Sequence, residues 1–181
     1  SSPSGGGKTT VIKKLLEDAP PDYTYSISMT TRPKRHGEEQ GKDYWFVDEQ
    51  EFEQQHQAGN LIESEKVHDW WYGTPKAPIQ HWMDDGYVVA LDLDVYGALN
   101  IKQQFGDRAL TIFLKPPNQE QLMSRLKHRS TETPQQIERR LQRVPEELQQ
   151  AEKFDAVVVN DRLNDTVENV KQIIENKRLM L

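Results

Sequence analysis

The residues with the clearest chemical potential stand near the start of the chain, in the run Ser4-Gly5-Gly6-Gly7-Lys8-Thr9-Thr10. Glycines let successive backbone N–H groups turn inward around phosphate oxygens, and a helix expected over residues 11–18 adds its positive N-terminal end. Lys8 has the reach to meet β- and γ-phosphates, and the Thr9 hydroxyl is a hard oxygen of the kind that ligates Mg²⁺. The full phosphate-loop pattern, G-x-x-x-x-G-K-[ST], is met except at its first position, where Ser2 replaces glycine. A serine serves there if its backbone keeps a negative φ. A loop of this kind defines a nucleoside-triphosphate site and leaves the reaction open.

A second concentration of chemistry lies within residues 28–75. Ser28-Met29-Thr30-Thr31-Arg32-Pro33-Lys34-Arg35-His36-Gly37-Glu38 is followed by Gly41-Lys42-Asp43-Tyr44-Trp45-Phe46-Val47, and then by Trp71-Tyr72-Gly73-Thr74-Pro75. Two arginines three apart and two tyrosine hydroxyls can converge on one phosphate dianion. Together these segments resemble the S-x-T-T-R-x-x-R-x-G-E, G-x-D-Y-x-F and Y-Y-G-T-P segments of the guanylate kinase family, and the resemblance runs from Ser4 to about residue 170. It implies that Ser28, Arg32, Arg35, Tyr44 and Tyr72 hold the phosphate of GMP, while Glu63, Thr74 and Asp94 read its base. The chemistry agrees, because guanine offers N1–H and 2-amino donors on one edge and a carboxylate there accepts both. Adenine has no such donors, so a buried carboxylate facing it would lose about 1–3 kcal/mol per unpaired group.

Ala90-Leu91-Asp92-Leu93-Asp94 puts two carboxylates at the end of an apolar strand, where α/β proteins assemble their sites. Strand alternation leads us to expect both to point the same way. The segment resembles the family's L-x-I-D, which implies guanine recognition for Asp94, alongside a helix N-cap role, and the water shell of Mg²⁺ for Asp92. The basic run Arg125-Leu126-Lys127-His128-Arg129-Ser130-Thr131, with Arg139-Arg140-Leu141 after it, is similar to the family's lid. The match implies that Arg125, Arg129 and Arg140 touch the transferring phosphates, with Lys8 as a fourth catalytic group; positive charge is what a loose phosphoryl-transfer transition state requires. His128 and Ser130 replace the glycines that usually flank the lid arginine, a change that would slow lid closure. Val158-Val159-Asn160-Asp161 resembles the segment beside the adenine, making Asn160 and Asp161 ATP contacts together with residues 4–10. Arg162 stands there in place of a common second aspartate.

Elements must position these groups. Residues 23–31, 43–47 and 61–67 read as strands and 49–58 as a helix, closed by Gly59-Asn60. Residues 87–91, 109–114 and 156–159 are continuous apolar runs, the pattern of strands buried on both faces. Helical segments at 77–85, 95–105, 119–128, 135–153 and 164–177 separate them, with Pro145 expected to kink or break the fourth. Buried strands alternating with helices predict a parallel sheet of βαβ units. The expected architecture is α/β: a three-layer P-loop kinase core (1–27, 76–123, 141–181), a strand-rich GMP-binding insert (28–75) and a helical lid (124–140). A strand ordinarily precedes a phosphate loop, so the first core strand is expected upstream of Ser1.

Composition narrows the partners. The chain has 181 residues, enough for one full core, with 35% hydrophobic and 29% charged residues. It has no cysteine, which removes disulfides and thiol chemistry, and its five histidines show no metal-ligand spacing. The net charge of −6 argues against nucleic acid, and positive charge clusters at residues 32–35 and 125–143, as suits a small anion. No apolar run approaches the ~20 residues of a membrane span, and no secretion signal is visible, so a cytoplasmic setting is expected. The resemblance implies ATP and GMP as partners (dGMP as a second acceptor), Mg²⁺ with the ATP, and a place in purine nucleotide metabolism. Two other readings stay open, a non-catalytic interaction module of the same fold and a related kinase with a sugar-phosphate acceptor. The oligomeric state is not legible.

Overall fold

The computed structural model describes residues 1–67, 69–127 and 134–180. In chain order its elements are α1 (Lys8–Glu17), β1 (Tyr23–Ser26), β2 (Met29–Thr30), β3 (Trp45–Phe46), α2 (Glu49–Gln57), β4 (Leu61–Val67), β5 (Trp70–Pro75), α3 (Lys76–Asp84) and β6 (Val88–Leu91). They continue with α4 (Val95–Phe105), β7 (Ile112–Lys115), α5 (Gln119–Lys127), α6 (Pro134–Gln149), β8 (Ala156–Val159) and α7 (Leu163–Arg178). The class is α/β, as expected, and the chain forms two compact units: Ser1–Glu17 with Leu93–Leu181, and Asp18–Asp92. Among the described residues no helix is long and apolar enough to cross a membrane.

The first unit is organised by apolar stripes at helical spacing. Val11 and Leu15 of α1, and Val167 and Val170 of α7, pack with Leu114 of β7 and Val158 of β8 into one buried cluster. β7 and β8 pair in parallel from Ile112↔Ala156 to Lys115↔Val159. Ser1 lies in register beside β7, its nitrogen donating to the Ile112 carbonyl and its carbonyl accepting from the Leu114 N–H, both at 2.7 Å. β8 departs from the expected two-sided burial, since Val157 and Val159 are 47% and 53% exposed. A continuous apolar run reports propensity for a strand, but the layers on either side decide how much of it is covered. A separate cluster joins Leu122 of α5 to Ile137, Leu141, Val144 and Leu148 of α6. Pro145 sits inside α6 without ending it. It lies on the exposed side, where water can meet the carbonyl that its missing N–H leaves unbonded.

Asp155 ties the entry to β8. Lys102 Nζ lies 2.8 Å from its Oδ1, and the Thr111 N–H and hydroxyl donate to its Oδ2 at 2.8 and 2.7 Å. Partial burial pushes this carboxyl up, but the hydrogen bonds from Lys102 and Thr111 outweigh it and hold it below its ordinary range. Such a group adds stability that is fully present above the ordinary aspartate range and is lost as pH falls through the depressed value. Asp155→Ala is expected to lower unfolding free energy by about 1–3 kcal/mol at neutral pH, with a smaller difference in acid. Urea titrations at two pH values check this, and equal midpoints at neutral pH would refute it.

In the second unit, the segment read as one strand over residues 23–31 divides in two. β1 pairs in parallel with β6, Tyr23↔Val88 to Ser26↔Leu91, whereas β2 joins the sheet β3-β2-β5-β4. Alternation is continuous through this stretch, so only the pairing partners mark the division. β4 and β5 pair antiparallel from Leu61↔Pro75 to Val67↔Trp70, with a register shift between Leu61 and Glu63. β5 carries the Trp71–Pro75 motif on a strand, an element the sequence pattern did not separate. Asp48 caps α2 by accepting from the Glu51 N–H at 2.7 Å, and Phe52 stacks on Trp71 with ring centres 5.9 Å apart, fixing the helix to the sheet.

Candidate active site

The phosphate loop belongs to the first unit. Gly5 and Gly7 take positive φ values of 85° and 92°, the left-handed region that a Cβ disfavours. The Gly6 N–H closes a turn onto the Pro3 carbonyl at 2.8 Å, and the Gly7 carbonyl begins α1 by accepting from Val11. Gly7 is also required by close approach, because a Cβ there would stand 2.7 Å from Nδ2 of Asn160. Ser2, in the pattern's first position, is buried and turns its hydroxyl to the Pro3 carbonyl. Lys8 and Thr9 open α1, with Thr9 and Thr10 exposed.

Three other elements reach this loop. Asn160, 5% exposed at the end of β8, donates its side-chain amide to the Gly6 carbonyl at 2.7 Å. Its own carbonyl accepts from Arg125 Nη2 at 3.0 Å, which sets the Arg125 guanidinium beside Gly7. The structure thus gives Asn160 a place under the loop, while Asp161 is exposed and accepts from Gln121 at 3.4 Å. From α6, Arg140 Nη1 donates to the Ser4 hydroxyl at 2.9 Å, and the Ser4 N–H donates to Glu147 Oε2 at 3.3 Å. Glu147 was not among the residues that the sequence motifs singled out. Its signal is the spacing Arg140, Arg143, Glu147, a second stripe beside the apolar one.

The second unit gathers the other set. Arg32 is 6% exposed and forms an ion pair with Glu38 at 2.7 Å. Its guanidinium lies 5.4 Å from the Tyr44 ring centre and 5.7 Å from that of Phe46. Burial works against its charge, and hydrogen bonds to Glu38 and Tyr72 more than offset this, keeping it above the ordinary arginine value. Glu38 also accepts from the Arg35 N–H at 2.8 Å. Despite its burial, these bonds leave its carboxyl below the usual range. Glu38 stands inside the quoted motif, so its signal was present in the sequence. Burial, with Asp92 next, pushes the Tyr44 hydroxyl upward, so it stays a neutral donor; its ring meets Tyr72 edge-on at 5.9 Å. Ser28 is buried and its carbonyl accepts from the Trp45 N–H. Thr74, with no exposed surface, donates to Glu63 Oε1 at 2.5 Å.

β6 ends at Leu91, before Asp92 and Asp94. Asp94 caps α4, as expected of it, accepting from the Gly97 N–H at 2.7 Å. The two residues also belong to different units. Arg129, with the neighbouring His128 and Ser130, lies outside the described residues.

A glycine-bearing loop running into α1 beside parallel strands is the apparatus of a P-loop nucleotide-binding protein. The family model described as guanylate kinase matches residues 1–177. The guanylate kinase of Salinibacter ruber is 46% identical over 169 residues, covering 93% of this chain and 89% of that protein. That of Gloeobacter violaceus is 43% identical over 174 residues, covering 96% and 84%. The crystal structure of guanylate kinase from Anaplasma phagocytophilum superposes with a TM-score of 0.80 at 31% identity, covering 97% and 82%. The chain belongs to the guanylate kinase family.

Proposed function

We propose that this protein transfers the terminal phosphate of ATP to GMP, giving ADP and GDP. The observation that carries the proposal is the arrangement on β5. Tyr72 and Thr74 stand two residues apart and so share one face of the sheet, about 7 Å apart along the strand. Tyr72 meets the Tyr44 ring edge-on at 5.9 Å, the same ring over which the buried Arg32, a phosphate-binding cation, lies at 5.4 Å, and Thr74 bonds the buried Glu63, a guanine-reading anion. One strand therefore bears a phosphate end and a base end, the two chemistries of a purine monophosphate. Thr74 donates to one oxygen of Glu63 and so orients the carboxylate, whose oxygens are acceptors of the kind that the guanine N1–H and 2-amino donors require. Ser28, Arg35 and Tyr44 complete the phosphate end, and Asp94 is the further base contact.

Ser4, Gly5, Gly6, Gly7, Lys8, Thr9 and Thr10 hold the phosphates of ATP, with Asn160 and Asp161 toward its base. Among the described residues no cluster of three or more His, Asp or Glu side chains suits a metal on its own. Mg²⁺ binds through one or two protein oxygens, water and phosphates, and the Thr9 hydroxyl and the Asp92 carboxylate are each donors of that chemical kind. When bound, Mg²⁺ neutralises charge on the phosphates. Lys8, Arg125, Arg129 and Arg140 stabilise charge on the transferring group, which passes directly to a phosphate oxygen of GMP without a covalent enzyme intermediate. Division into core, GMP-binding insert over 28–75 and lid over 124–140, and a cytoplasmic setting, belong to the same reading.

The test is ADP formation from Mg-ATP with GMP, dGMP, AMP, UMP or no acceptor. Turnover confined to GMP and dGMP is expected. Equal turnover with AMP would overturn the acceptor assignment. GMP binding by calorimetry without any turnover would leave a binding module instead.

A further inference from the structure

Glu147 is a half-buried carboxylate held against a loop whose N–H groups are arranged for phosphate oxygens. On α6 it stands seven residues from Arg140 and four from Arg143, on a stripe beside the apolar one formed by Ile137, Leu141, Val144 and Leu148. Arg140 and Glu147 both take hold of Ser4, one through its hydroxyl at 2.9 Å and the other through its N–H at 3.3 Å. Charged groups from three elements act on the Glu147 carboxylate: Arg143 on its own helix, Lys8 at the start of α1, and Asp94 at the start of α4. An oxyanion bonded to a loop N–H with the Lys8 ammonium nearby has the partners that a nucleotide's terminal phosphate requires.

We infer that Glu147 is the resident counter-anion of the phosphate loop, holding the Ser4 N–H and balancing Lys8 and Arg143 until a triphosphate binds, and then opposing the incoming negative charge. The inference rests on the reading of residues 4–10 as the ATP site. Burial is the main reason that the Glu147 carboxyl is raised above the ordinary glutamate value, and Asp94 adds to it; the Ser4 N–H, Arg143 and Lys8 act the other way. A bound triphosphate would raise it further, so ATP affinity in the wild type falls as pH rises and Glu147 ionises.

Glutamine separates charge from hydrogen bonding, because its side-chain oxygen still accepts from Ser4 while the charge is gone. Calorimetric titration of the whole protein with Mg-ATP, without acceptor, is expected to give E147Q an affinity about 3–10-fold higher than wild type at neutral pH. E147A, which leaves the Ser4 N–H without its acceptor, should bind more weakly than E147Q. The difference between wild type and E147Q should shrink toward acid pH, and GMP affinity should not move. An E147Q affinity equal to or below wild type, or a difference independent of pH, would overturn the inference. Lys8→Ala serves as the separate check: if it leaves ATP affinity intact, the phosphate-loop reading fails, whatever Glu147 does.

Discussion

Lys8→Ala is expected to slow phosphoryl transfer from Mg-ATP to GMP by at least about 10²–10³-fold while leaving GMP affinity close to wild type. The loop's N–H groups depend on Gly5, Gly7 and the Asn160 bond to Gly6, none of which involves the Lys8 side chain. Removing the ammonium therefore takes away charge at the phosphates and leaves their cradle standing. Charge matters because the transferring group asks for little proton chemistry and much neutralisation. GMP contacts are assigned chiefly to the unit Asp18–Asp92, which lies elsewhere in the chain from Lys8. Single-turnover kinetics and GMP calorimetry on the same sample read the two halves separately. Equal loss of both would mean a misfolded variant or a wrong assignment of sites, and near-normal turnover would remove Lys8 from the catalytic group.

Glu63→Ala is expected to reduce kcat/KM for GMP by about 1.5 to 4 orders of magnitude. The estimate takes about 1–3 kcal/mol for each of two guanine donors left unmatched. The wild-type carboxylate is oriented by Thr74, whose hydroxyl already uses one of its oxygens, so no other rotamer of Glu63 needs to be found when the base arrives. Alanine loses the acceptor and also leaves the buried Thr74 hydroxyl without its partner. Discrimination between GMP and AMP should collapse with it, since rejection of adenine depends on that carboxylate meeting an edge without donors. ATP affinity should be retained, because Glu63 and the phosphate loop are carried by different units. Steady-state kinetics with both acceptors check this, and unchanged GMP selectivity would take base recognition away from Glu63.

The two sites differ in how far the sequence alone determined them. The phosphate loop was legible because its chemistry needs consecutive backbone N–H groups, so Gly5, Gly6, Gly7, Lys8 and Thr9 must be neighbours in the chain. The helices were legible for a similar reason, since an apolar stripe such as Val11 and Leu15 repeats at helical spacing. Arg32, Tyr44 and Tyr72 were legible as motif members, but their meeting was decided by the pairing of β2 with β5 and β3.

Other features belong to the tertiary structure alone. Division of residues 23–31 between two sheets, exposure of Val157 and Val159, and the end of β6 before Asp92 depend on which strands become neighbours. Local alternation carries no record of that choice. Asn160 under Gly6 and Glu147 against Ser4 join residues separated by 154 and 143 positions. An asparagine after a strand and a glutamate in a charged helix look like ordinary surface polar residues in isolation. Their roles arise only when packing of α6, and the pairing of β8 with β7, carry them to the loop, because a hydrogen bond is specified by distance in space and not along the chain.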